Sequence, residues 1–116
     1  MGATLKAFAQ LGAADAIIAL PLADVKERDA AWAVRCIVTA AHEAEFRTDG
    51  QKSKKDAAAA GVKKVTLAAG AELKAALAQA VAIARGMDLT KELGNTSANI
   101  CTPTHLANVA KKLGKD

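Results

Sequence analysis

Between residues 71 and 93 the apolar side chains fall on one helical stripe. Leu73, Ala76, Leu77, Ala80, Ile83, Ala84 and Met87 follow i, i+3, i+4, i+7 spacing. This is the clearest helix in the chain, and the other elements have to pack around it. Its stripe is mostly small. Hydrophobic residues make up 52% of the 116 and aromatics only 3%, so the apolar content is largely alanine. Alanine favours helix but buries little area per residue. The pattern predicts close-packed helices and a core that partners complete. Gly86 lies inside the stripe, where it costs about 1 kcal/mol against alanine. It predicts a close approach of another backbone. Gly94 with Asn95 predicts the C-cap.

Upstream, Leu5, Phe8, Ala9 and Leu11 predict a short helix over residues 4–11, ended by Gly12. Residues 16–20 form a continuous apolar run stopped by Pro21. That run predicts a strand buried on both faces, with helices to either side. Residues 28–46 return to helical spacing, with Ala33, Cys36, Ile37, Ala40, Ala41 and Ala44 on one face. Asp29 or Asp24 caps its start. Glu27, Arg35, Glu43 and Arg47 suit the wet faces. Residues 48–61 read as a loop containing the turn pair Asp49-Gly50, with a helical turn over 57–60. Residues 62–69 predict a second, less buried strand ended by Gly70. Thr102 before Pro103 reads as an N-cap, and Leu106, Val109, Ala110 and Leu113 form the stripe of a last helix capped by Gly114. The order of helix, strand, helix, strand, long helix and short helix is α/β, with a small, mostly parallel sheet flanked by helices. No internal repeat is visible.

Chemistry-bearing motifs are sparse. His42-Glu43-Ala44-Glu45-Phe46 begins like a helical zinc-protease motif, but Phe46 stands where the second histidine is needed. A solvated helix face is the better reading. His105 reads as a surface residue. Cys36 reads as core, and Cys101 lies near a helix start without a group to orient its neighbour His105. The thiols are unpaired, as in a reducing cytosol. No glycine loop cradles phosphate. Asn95-Thr96-Ser97 matches a glycosylation acceptor that a cytosolic chain never presents to that machinery. Net charge is +4. Lys52, Lys54, Lys55, Lys63 and Lys64 form the one basic cluster, a candidate nucleic-acid contact that lacks aromatic stacking partners nearby. No apolar run is long enough to span a membrane, and Gly12 and Asp15 interrupt any signal-like stretch. The expected location is the cytoplasm.

The stretch from residue 82 to 113 carries more. Ala84-Arg85 and Asp88-Leu89 on the long helix lead to Asn95, Asn99, Thr102, Pro103, Leu106 and Ala107. This pattern resembles the junction of the leucyl (cytosol) aminopeptidase family, where a long helix runs into Asn-x-Pro-x-Asn and a Thr-Pro opens the next helix. Ser97 stands where the family carries proline, which predicts a looser turn. Upstream, a strand, a helix ending near Glu45-Phe46-Arg47 and a lysine loop resemble the later half of that family's N-terminal domain.

The resemblance implies a partial macro-domain-like α/β unit over residues 1–70. A linker helix over 71–94 follows, and then the start of a catalytic domain over 95–116. It implies a homo-hexamer and peptide hydrolysis with two divalent metals, zinc or manganese, bound through a lysine, aspartates and a glutamate. The signature Asn-Thr-Asp-Ala-Glu-Gly-Arg is not in this sequence. Those ligands are expected beyond Asp116, and the first strands of the N-terminal domain before Met1. No catalytic residue, metal ligand or cofactor is assigned in this chain. The expectation is an inactive piece of a leucyl aminopeptidase that supports assembly and domain placement. The alternatives are a DNA-binding accessory module using the lysine cluster and a self-associating structural piece.

Overall fold

The computed structural model describes residues 3, 4, 7, 12–19, 26–47 and 62–114. The predicted helix over 4–11 and the loop over 48–61 lie largely or wholly outside that set. Two strands, β1 (Asp15–Ile18) and β2 (Lys64–Leu67), pair in parallel, with Ala16 opposite Val65 and Ile18 opposite Leu67. The pairing extends at both ends. The Lys63 and Lys64 N–H groups donate to Ala14 O at 2.7 and 3.2 Å, and Ala68 N–H donates to Ile18 O at 2.9 Å. A parallel pair needs a crossover, and the helix between the strands supplies it.

That helix, α1 (Ala30–Glu45), starts where Asp29 predicts. The Asp29 carboxylate accepts from Trp32 N–H at 2.6 Å, satisfying one of the free donors of the first turn. The Arg28 guanidinium lies 5.4 Å from the Trp32 ring centroid. A single 3-10 turn (Ala71–Leu73) follows β2 and opens α2 (Lys74–Asn95). The last helix is α3 (Pro103–Leu113).

The core of the described residues has two parts. Val34 and Val38 of α1 meet Ala80 and Ala84 of α2, with Leu67, Leu73, Leu77 and Val81 packed around them. Ala16 and Val62 are covered by Ala41 and Ala44. So α1 touches α2 along one flank and the sheet along another. This shifts the face read from sequence. Cys36, expected in the core, is exposed, and Val34, not placed on that face, is 0% exposed. The alanines of α1 hide the direction of burial, and the position of α2 settles it.

Three further expectations are corrected. β1 is buried on one face, not two: Ala16 and Ile18 point inward while Ile17 is 74% exposed. The described helices cover only that inner face. Gly86 has open space where a side chain would project, so no described backbone packs against it. Gly94 does not end α2. The helix runs on to Asn95, and Thr96 closes it with its N–H donating to Leu93 O at 3.3 Å. Polar side chains finish that turn. Asn95 Nδ2 donates to Lys91 O and Thr96 Oγ1 to Glu92 O, each at 2.7 Å. These bonds satisfy carbonyls that the helix end leaves without partners.

Candidate functional site

Two places concentrate polar structure: the flank between α1 and α2, and the junction between α2 and α3. At the first, the imidazole of His42 donates from Nδ1 to Asp88 Oδ2 at 2.6 Å. The side chains are 31% and 25% exposed. Sequence reading placed His42 on a solvated face. The structure corrects this, because α2 lies against that side of α1. The second oxygen of Asp88, Oδ1, is buried and takes no hydrogen bond among the described residues. Nearby, the Lys91 ammonium lies 5.0 Å from the Phe46 ring centroid and 3.9 Å from Glu43 Oε1. Glu45 turns the other way and accepts from Val62 N–H at 3.3 Å, tying the end of α1 to the entry of β2. An open groove of about 370 Å³ runs beside this corner, lined by Ile37, Val38, Ala41, Val62, Leu77 and Val81 among others. Its walls are mainly apolar.

The junction runs over residues 96–102. Ser97 O accepts from the N–H groups of Ile100 and Cys101, both at 2.9 Å, so the turn is closed although serine replaces the family's proline. Thr102 caps α3, its hydroxyl accepting from His105 N–H at 3.3 Å, and Pro103 takes the first helical position, which needs no N–H donor. Asn99 is exposed in the turn, and Asn95 makes the local bond already described. Truncating the cap should cost about 1 kcal/mol of α3 stability. For Thr102→Ala we expect faster amide hydrogen exchange confined to the first turn of α3. Unchanged exchange there would contradict the cap assignment.

Of the basic cluster, Lys63 and Lys64 are exposed at the start of β2, while Lys52, Lys54 and Lys55 lie outside the described residues. Cys101 is half-buried at the junction. Among the described residues no three of His, Cys, Asp and Glu stand close enough to hold a metal ion. None of the described helices is long and apolar enough to cross a membrane. Sequence reading missed Asp88 and Lys91 as partners of α1. The signal was the i, i+4 row on each helix: Val34, Val38 and His42 on one, Ala80, Ala84 and Asp88 on the other.

The fold and junction define a class: a small parallel α/β unit leading through a long helix into a capped helix–turn–helix. No protein-family profile matches the chain. Individual relatives do. The chain is 54% identical over 118 residues to a "Probable cytosol aminopeptidase" of Herminiimonas arsenicoxydans, covering 98% of this chain and 24% of that protein. Proteins of the same name from Paraburkholderia phymatum and Paraburkholderia xenovorans are 46% and 47% identical. These matches cover 81% and 79% of this chain and 20% and 19% of theirs. Among solved structures, the bottromycin maturation enzyme BotP in complex with Mn aligns with a TM-score of 0.70 at 26% identity, over 99% of this chain and 25% of that one. The chain spans a quarter or less of the length of these proteins. It is a homologue of the cytosol aminopeptidases, matched within their N-terminal region.

Proposed function

We propose that this chain is the N-terminal and junction region of a metal-dependent leucyl aminopeptidase, inactive by itself, which places the catalytic domain and supports assembly. The observation that carries this reading is the match of nearly the whole chain to one quarter of a cytosol aminopeptidase. The geometry supports it. In this reading β1, α1 and β2 belong to a partial α/β unit, α2 links it onward, and α3 begins the next domain. Among the described elements, α3 has no buried residue. Its Leu106 and Leu113 are 43% and 59% exposed, and Ile100 just before it is 47% exposed. An amphipathic helix in that state has an apolar stripe suited to a further domain.

The described residues do not fit a pair of divalent metals, because their carboxylates and imidazoles do not cluster. No step through a metal is therefore assigned to them. In the parent enzyme the metals would polarise the scissile carbonyl and activate a water from a site outside this region. The test is direct. The purified chain, supplied with Mn²⁺ or Zn²⁺, should release no amine from a leucine anilide. The longer protein that contains this sequence should release it. Metal-dependent turnover by the 116 residues alone would overturn the reading.

A further inference from the structure

The α1–α2 interface is a ladder that repeats every four residues. On α1 the row is Val34, Val38, His42, and on α2 it is Ala80, Ala84, Asp88, with Ala76 one turn earlier. The offset of 46 residues between His42 and Asp88 also separates Val34 from Ala80 and Val38 from Ala84. The helices run in the same direction. Leu73, before α2, packs with the Val34 cluster, and Lys91, near its end, reaches Glu43 and Phe46. Rows four apart interlock ridge into groove.

The apolar rungs do not specify where α2 sits along α1. Moved one turn toward its C-terminal end, about 6 Å for four residues, α2 would present Ala76 and Ala80 to Val34 and Val38. Alanine replaces alanine on this row, while Leu73 and Leu77 move into the places of Leu77 and Val81, so the flanking contacts stay apolar. The connection from β2 must supply the slack, through residues 69–73 and the single 3-10 turn they contain. The polar rung distinguishes the registers. In the forward slip Ala84 faces His42 and the His42–Asp88 bond is lost. In the reverse slip Asp88 faces Val38, a carboxylate against a buried valine. Asp88 has one bonded oxygen and one buried oxygen unbonded among the described residues, so His42 is its one described side-chain partner. Lys91, three residues on along the same helix, is engaged with Glu43 and Phe46.

We propose that the His42–Asp88 bond sets the register of α2 along α1, and through α2 the point from which the junction and α3 depart. A single buried polar contact specifying register in an otherwise repetitive helix interface is a known physical device. Here it acts on an interface whose alanines cannot do so.

The test is a distance between two spin labels, one on the exposed native Cys36 and one on exposed position 92 (Glu92→Cys), with Cys101→Ser. The otherwise unaltered chain should give one distance. Asp88→Ala extends the alanine row by one step and should add distances on both sides of it. His42→Phe keeps the ring's bulk but removes the bond, and should add a longer distance as Asp88 escapes toward solvent. Asp88→Asn, which can still bond His42, should keep the single distance. The proposal is overturned if Asp88→Ala and His42→Phe both retain the single native distance. If Asp88→Ala does not fold, the His42→Phe distance alone decides, a lone native peak counting against the proposal.

Discussion

Val34→Asp will abolish the cooperative folding transition. Val34 is the one large side chain fully buried among the described residues, at 0% exposure, in the cluster with Ala80 and Ala84 that Leu67, Leu73 and Leu77 pack around. No described cation stands in that cluster to pair with a carboxylate. A buried acid must either ionise without solvent or stay protonated at neutral pH. Either route costs about 4 kcal/mol or more, at the extreme of single-substitution effects. Domains of this size hold about 5–15 kcal/mol in total. A thermal melt followed by circular dichroism should therefore lose its sigmoid. A midpoint within a few degrees of the parent chain would show that α1 does not pack as described.

The second large effect concerns the alanines. Ala84→Leu should destabilise the chain by about 1–3 kcal/mol, the usual cost of forcing extra carbons into a filled interface. Ala80 and Ala84 are each only 1% exposed, and they let α2 lie close to the valines of α1. A leucine there must push the helices apart or take a poor rotamer. The neighbouring Ile83 supplies the control, because it is 53% exposed on the same helix. Ile83→Leu should change stability by less than about 0.5 kcal/mol. Urea unfolding of both variants measures the difference. Equal tolerance at positions 83 and 84 would contradict the close-packed interface.

That contrast also shows what the amino-acid pattern could reveal. The 3.6-residue period makes α2 legible, together with Ala80 and Ala84 on its stripe. The same period includes Ile83, which stands at the edge of the stripe and turns outward. For α1, alanines on several sides leave the buried arc undetermined, so Cys36 is read as core although the arc centres nearer Val34. β1 is misread for a related reason. Unbroken apolar residues conceal the alternation that burial on one face would otherwise display. The caps are legible because their chemistry is local: Asp29 and Thr102 each act on an N–H three residues away. The His42–Asp88 pair is not legible, since 46 residues separate its members and only the fold brings them together. The junction is the informative exception. Its fixed residues over about thirty positions carry the aminopeptidase resemblance, and the relatives bear that resemblance out.

We propose that these residues work as part of a longer aminopeptidase. The most direct test is the intact mass of the protein that carries them in its source cells, detected with an antibody raised against this chain. A mass several-fold above 11.9 kDa, co-purifying with aminopeptidase activity, is the expected result. A stable product near 11.9 kDa, with no larger species, would contradict it.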